Sequence, residues 1–140
     1  MESKTTLTVR YAETDQMGVV HHSNYPIWFE AGRTDLLKQM KLSYTSIEAK
    51  GVLLPLYEMN CKFISSARYE DEVTVATQVK KLSPVRAVFS YQVINALSGR
   101  LIATGETMHA WTDRALKPIN AKKAMPEIYD LLTENNSDLL

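Results

Sequence analysis

The stretch Asn24-Tyr-Pro-Ile-Trp28-Phe29-Glu-Ala-Gly32-Arg-Thr-Asp-Leu36-Leu37-Lys-Gln-Met40 decides the fold. Tyr25, Trp28, Phe29, Leu36, Leu37 and Met40 recur at spacings of three, four and seven, which gathers them on one face of a helix. Asn24 or Ser23 can cap its start, and Pro26 is tolerated in the first turn. Gly32 falls in the middle, where it costs about 1 kcal/mol relative to alanine. Either another backbone passes close by there, or the helix simply tolerates the loss.

Outward from this helix the period changes. Residues 5–11 are rich in strand formers and alternate, so they read as a strand. Beyond Gly51, Tyr57, Met59, Cys61 and Phe63 alternate with Glu58, Asn60 and Lys62. Val73, Val75, Thr77 and Val79 form a second such set, Ala87, Phe89, Tyr91 and Val93 a third, and Leu101 through Trp111 a fourth. The breaks at Ser83-Pro84 and at Asn95 to Gly99 are short, which predicts antiparallel hairpins. Pro126 starts a final helix through Leu132, and the tail Glu134 to Leu140 is expected to fray. The inventory is strand, long helix, four meandering strands, short helix. A helix with one apolar face needs a sheet to bury it. The expectation is an α+β fold, an antiparallel sheet curled around one long central helix. Its open edges favour a second copy, hence a homo-oligomer.

The bulk numbers agree with one domain spanning 1–140. The chain has 140 residues, of which 45% are apolar, enough for a real core. Its 16 basic and 16 acidic side chains balance, which argues against general nucleic-acid or membrane-surface binding. No run approaches the roughly 20 apolar residues of a membrane span, and the first residues carry no signal-peptide pattern. Cys61 is the only cysteine, so no intrachain disulfide can form, which suits the cytoplasm. It reads as a small hydrophobe inside a strand rather than a nucleophile.

Immediately before the helix runs Asp15-Gln-Met-Gly18-Val-Val-His21-His22-Ser-Asn-Tyr25. A carboxylate set against a helix start is suited to attack on a carbonyl. The first N–H groups can hold an oxyanion while the carboxylate, or water it activates, attacks. The plainer reading of Asp15 is a turn-forming aspartate. The ring of His22 can equally face solvent, leaving only its backbone to matter, and His21 reads as a surface or interface residue. Two adjacent histidines and a distant cysteine have no zinc spacing, so no metal is expected. Glu30 and Arg33, three apart, read first as a helix ion pair.

The run Tyr11-Ala-Glu-Thr-Asp15-Gln-Met-Gly18-Val-Val-His-His22-Ser-Asn-Tyr25, followed by Phe29-Glu30-Ala-Gly-Arg33, resembles the 4-hydroxybenzoyl-CoA thioesterase family of hotdog-fold acyl-CoA thioesterases. The likeness is greatest to its bacterial acyl-CoA thioesterase branch. The resemblance implies the hotdog fold, with sites at protomer interfaces of dimers or tetramers. It implies hydrolysis of a short- to medium-chain or aromatic acyl-CoA thioester, coenzyme A being part of the substrate and no cofactor being needed. It makes Asp15 the catalytic carboxylate and the His22 N–H an oxyanion donor. Gly18 lets the loop turn tightly and lets substrate approach the backbone, and Tyr25 lines the pocket.

Coenzyme phosphates call for a basic mouth. Lys80, Lys81 and Arg86 flank the Ser83-Pro84 turn and are the candidates, with Arg68, Lys117 and Lys122 behind them. A solvated hairpin rim is the alternative for those charges. The family's aromatic-CoA member has its basic cluster at the turn itself, where this chain has Ser83-Pro84-Val85, so an acyl-carrier-protein thioester is an alternative substrate. Trp28, Phe29, Tyr57 and Met59 read as core before they read as an acyl pocket. Two further functions stay open: hydration or dehydration of an acyl thioester, and a non-catalytic acyl-CoA-binding module.

Overall fold

The computed structural model describes residues 1–139. It contains β1 (Glu2–Thr8), α1 (Asn24–Gln39), α2 (Tyr44–Glu48), β2 (Leu56–Phe63), β3 (Glu72–Leu82), β4 (Arg86–Asn95), β5 (Leu101–Ala110), α3 (Ala121–Ala124) and α4 (Pro126–Asn135). The five strands make one antiparallel sheet in the order β1-β3-β4-β5-β2. Register shifts at Leu56/Glu58, Val79/Lys81 and Val93/Ile94 add local twist and curl the sheet. α1 lies across one face, packed on β1, β3 and β4.

Every residue of the apolar stripe read from the sequence is buried, and Phe29 and Leu36 are completely so. Each such side chain contributes roughly 1.5–3 kcal/mol by leaving water. Phe29 stacks on Tyr91 with ring centroids 4.3 Å apart and fits beside Gly105, where a Cβ would stand 2.7 Å from its ring. Gly32 answers the question the sequence left open. A Cβ there would collide with Thr77 Oγ1 and stand 3.1 Å from Val75 Cγ1, so side chains of β3, not a backbone, press on the helix. Thr77 Oγ1 is buried with no hydrogen-bond partner, which marks how tightly this contact is closed.

Several expectations need correction. The four later strands do not form one meander, because β2 pairs with β5 on the far edge and β1 takes the place beside β3. The link from β2 to β3 runs back past the loop ahead of α1, where Val20 N–H donates to Ala67 O and Glu70 N–H to Val9 O. β1 ends at Thr8 rather than Tyr11, because Tyr11–Glu13 wind into a 3-10 turn with the Glu13 carboxylate accepting from Arg10 N–H at 2.8 Å. Ser23 occupies the cap position of α1 without a side-chain cap bond. α2 and α3 are too short for periodicity to reveal, though Ser43 and Ser46 cap α2 reciprocally at 3.0 Å. The tail does not fray over its described part: Asn136 is buried and donates to Leu132 O at 2.8 Å, and Ser137–Leu139 form a 3-10 turn. Leu140 lies outside the described residues. Among the described residues no helix is long and apolar enough to cross a membrane.

Gly32→Ala is expected to lower unfolding free energy by about 1–3 kcal/mol through overpacking, rather than gain the helix propensity of alanine. Urea denaturation checks it; a stabilised variant would contradict the packing described.

Candidate active site

The loop before α1 is pinned at both ends. Thr14 and Val20 bridge, and Asp15 N–H donates to Val19 O at 2.9 Å. Gly18 supplies the reversal with φ of 79°, a left-handed conformation that costs other residues about 1–2 kcal/mol. The space beside it is open: a Cβ added there would find its nearest neighbour, Arg68 Nη1, at 3.8 Å.

Glu13 ties this loop to the helix, and it escaped the reading of the sequence. Its carbonyl accepts from His21 N–H at 2.8 Å and from Asn24 Nδ2 at 2.9 Å. Its carboxylate accepts from Trp28 Nε1 at 2.9 Å and is buried. Burial pushes its pKa up, but the bonds from Arg10 N–H, the Trp28 indole and the Arg10 guanidinium outweigh this and hold it below the usual carboxylate value. A tryptophan on a buried helix face needs an acceptor for its N–H, which is the signal that could have found Glu13.

Asp15 is half-buried. Its Oδ1 accepts from Met17 N–H at 2.8 Å, an Asx turn, so the turn-forming role is real. No such bond occupies Oδ2 among the described residues, so one oxygen remains available. The backbone N–H of His22, two residues ahead of α1, likewise has no partner among the described residues. The ring of His22 is exposed and lies 4.0 Å from that of His21, whose Nδ1 accepts from Ser23 N–H at 3.2 Å. Tyr25 lies beneath the loop, its ring edge-on to Phe63 at 5.1 Å, and burial above all pushes its phenol to about 12.

Asp15 and Gly18 thus share one turn, where Gly18 N–H donates to Asp15 O at 3.0 Å, His22 and Tyr25 share the start of α1, where Tyr25 N–H donates to His22 O at 3.4 Å, and Arg68 stands at the loop's edge. Lys80, Lys81 and Arg86 gather elsewhere, around a cavity of about 460 Å³ on the sheet face away from α1. There Lys80 pairs with Glu106 at 2.7 Å and Arg86 sits 5.5 Å over the Tyr57 ring. Tyr57 is therefore outside the core, while Trp28 and Phe29 are within it. Cys61 is half-buried, and burial pushes its thiol up, away from nucleophilic use.

Among the described residues, five cavities of about 180–460 Å³ are not lined by Asp15 or His22. The loop is instead an open ledge: Met17 on it is exposed, as are Tyr11, Ile27, Phe63, Ile64 and Tyr69 in the chain around it.

A second polar cluster lies further along α1. Arg33 does not pair with Glu30; it turns inward, donating from Nε to Tyr44 OH at 3.1 Å and from Nη1 to Tyr91 OH at 3.2 Å. Tyr91 OH and Thr107 Oγ1 are 2.6 Å apart, and Thr107 Oγ1 and His109 Nε2 are 2.9 Å apart. His109 Nδ1 lies 3.1 Å from Leu54 O, which can only accept, so Nδ1 carries the ring hydrogen. The order of donation follows: Tyr91 to Thr107, Thr107 to His109, His109 to Leu54. Burial pushes His109 down to about 4; the bond to Leu54 O opposes this and the charge of Arg33 adds to it.

Known proteins share this sequence and architecture. The thioesterase-like superfamily profile matches residues 9–130. A Bacillus subtilis protein named as a candidate acyl-CoA thioesterase, YneP, is 37% identical over 126 residues, covering 89% of this chain and 91% of that protein. A solved DHNA-CoA thioesterase from Staphylococcus aureus superposes with a TM-score of 0.92 at 34% identity, covering 97% of this chain and 91% of that one. A hypothetical protein from Thermus thermophilus gives 0.86 at 40% identity, covering 96% and 97%.

Because the folded state holds His109 neutral to about pH 4 while the unfolded ring takes a proton near 6.5, stability is full above pH 6.5 and declines as pH falls toward 4. The loss attributable to this residue is on the order of 3 kcal/mol. Urea unfolding at stepped pH should show that decline, and His109→Gln should flatten it.

Proposed function

The chain belongs to the thioesterase-like superfamily, and on that footing we propose that it is an acyl-CoA thioesterase whose Asp15 supplies the attacking oxygen. The products are a free acid and coenzyme A. The observation that carries this is the pairing of an anchored carboxylate having one oxygen open with an unclaimed N–H at a helix start.

A thioester carbonyl is a strong electrophile and a thiolate leaves readily, so no strong general acid is required. Asp15 Oδ2 attacks the carbonyl and the C–S bond breaks, coenzyme A leaving as the thiolate and an anhydride forming that water then hydrolyses to the free acid and Asp15; or Asp15 takes a proton from the water that attacks, and the same thiolate leaves as the acid forms. Negative charge on the carbonyl oxygen is met by the His22 N–H and the positive end of α1, worth about 3–4 kcal/mol per donor. Met17 N–H holds the other Asp15 oxygen, so the carboxylate is oriented before substrate arrives. Gly18 sets the turn that brings the two groups to one ledge, and Tyr25 forms its floor.

The site is completed by a second copy in this reading. β2 is an edge strand with exposed Leu56, Tyr57 and Phe63, and its end meets the start of α1 through the Phe63 ring on Tyr25. An unpaired edge and an apolar rim of this kind favour self-association. Within one protomer Lys80, Lys81 and Arg86 are turned away from Asp15, so in our reading they meet coenzyme phosphates across an assembly. Lone Cys61 supports a cytoplasmic setting.

Asp15→Asn should lose roughly 10²–10⁴-fold in kcat/KM on acyl-CoA, measured by thiol release. His22→Ala should lose far less, since its backbone and not its ring acts; equal losses would overturn that assignment. Single-turnover hydrolysis in oxygen-18 water separates the two routes, label entering Asp15 only through the anhydride. The same assay with acyl-carrier-protein thioesters, and a hydratase assay, test the alternative reactions.

Ile64→Glu, at the end of β2, should shift the protein toward monomer in sedimentation and lower thiol release with it. A monomeric wild type that hydrolyses at full rate would contradict the shared site.

A further inference from the structure

Glu13 is 4% exposed. Between Tyr11 and Ser23 it shares burial with Val20 alone. Taking a carboxylate out of water is costly unless it is well bonded. An apolar side chain here, facing a phenylalanine in place of Trp28, would dry the same surface without that cost. The charge is kept where the loop carrying Asp15 meets the helix.

Its oxygens are both engaged. Oε1 accepts from Arg10 N–H at 2.8 Å and Oε2 from the Trp28 indole at 2.9 Å. Buried and bonded, neither oxygen can reach a substrate, so Glu13 is not a catalytic residue. The ion pair with the Arg10 guanidinium, at 3.5 Å, adds little, because that side chain is 73% exposed and solvent screens it. The two N–H bonds are what the carboxylate is there to make.

Their effect is mechanical. The main-chain carbonyl of Glu13 accepts from His21 N–H at 2.8 Å and from Asn24 Nδ2 at 2.9 Å. Asn24 and Trp28 lie one turn apart on α1 and project from the same side of it. One loop residue therefore grips the helix at two points, through its carbonyl and through its carboxylate. A single point of attachment lets the loop pivot; two fix its angle as well as its distance. Asp15 is two residues beyond Glu13, and His22 is one residue beyond the held His21 N–H. The groups assigned to attack and to the oxyanion are thus close neighbours of this clamp in the chain.

We propose that Glu13 is a positioning residue for thioester hydrolysis: its carboxylate, bridging Arg10 N–H and the Trp28 indole, sets the angle between the Asp15 turn and the start of α1. This rests on the thioesterase reading above and adds to it a residue that never touches substrate. Donor counting names the variant that isolates the bridge. Glutamine has the same shape but one acceptor oxygen and an NH₂ group. Whichever way its amide turns, an N–H confronts either Arg10 N–H or the Trp28 indole. Glu13→Gln therefore breaks one end of the bridge and leaves the main-chain bonds in place.

The test measures thiol release from octanoyl-CoA and benzoyl-CoA by the full-length protein. Glu13→Gln should lower kcat by about ten- to a hundred-fold, the cost of a small misplacement at a reacting centre, with KM changed by less than about three-fold. In an Asp15→Asn background the same change should cost less than about three-fold, because residues that act as a unit are not additive. Losses that multiply overturn the proposal, and so does a wild-type kcat in Glu13→Gln. If Glu13→Gln does not fold, Trp28→Phe decides: it removes the indole donor and should lower kcat several-fold at steady KM, whereas a wild-type kcat overturns the proposal. Amide hydrogen exchange gives a readout apart from activity. In Glu13→Gln the His21 N–H should exchange at least about ten-fold faster while those of Leu36 and Leu37, further along α1, keep their rates. Equal acceleration at all three marks a merely structural role and overturns the proposal. Absence of thiol release by the wild type from both substrates would instead strike the thioesterase reading, and the exchange result would then judge the clamp by itself.

Discussion

One helix with one apolar stripe constrains everything else in this molecule. The stripe from Tyr25 to Met40 can be dried only by a surface that bends to follow it, and a twisted antiparallel sheet is that surface. The closeness of the fit is set at Gly32, where β3 presses Thr77 and Val75 against a helix that has no side chain to spare. Gly105 makes the complementary concession on the sheet, vacating the space that the ring of Phe29 fills. With the helix held at that depth, its first turn and its later turns come to fixed heights over the sheet. The ledge at one end and the polar cluster around Arg33 further along are therefore parts of a single packing solution.

The geometry of the loop ahead of α1 is fixed by Glu13. Through one residue, a main-chain carbonyl holds His21 and Asn24 while a buried carboxylate holds Trp28 and Arg10. The loop carrying Asp15 is thus fastened to the helix whose start carries the open N–H. In the proposed mechanism neither Asp15 nor the His22 N–H has to be positioned by the substrate, which is the economy that preorganised sites exploit.

Much of this was legible in the residues. The bounds of α1 follow from the spacing of its apolar positions, and the strands from their alternation, because both periods are local properties of the chain. The loop's glycine and aspartate do what short-range turn chemistry says they do. What could not be read was long-range. Whether β2 lies beside β3 or crosses to β5 depends on where the link 64–71 runs, and nothing local encodes that. Arg33 fits a surface ion pair with Glu30 by spacing alone; it turns inward because Tyr44 and Tyr91, 11 and 58 residues away, offer it oxygens. His109 sits at an inward position of β5 beside Thr107, a hint of a buried polar network, but its partners come from other elements.

Gly18 carries a last consequence. Its backbone is left-handed, yet an added Cβ would meet only the far end of the Arg68 side chain, at an ordinary 3.8 Å. The position therefore polices chirality while remaining indifferent to bulk. Asparagine, which visits this region of backbone space more readily than other L residues, would be accommodated better than the smaller alanine. Size and tolerance are here inversely ranked, a reversal that a ranking by side-chain volume would miss.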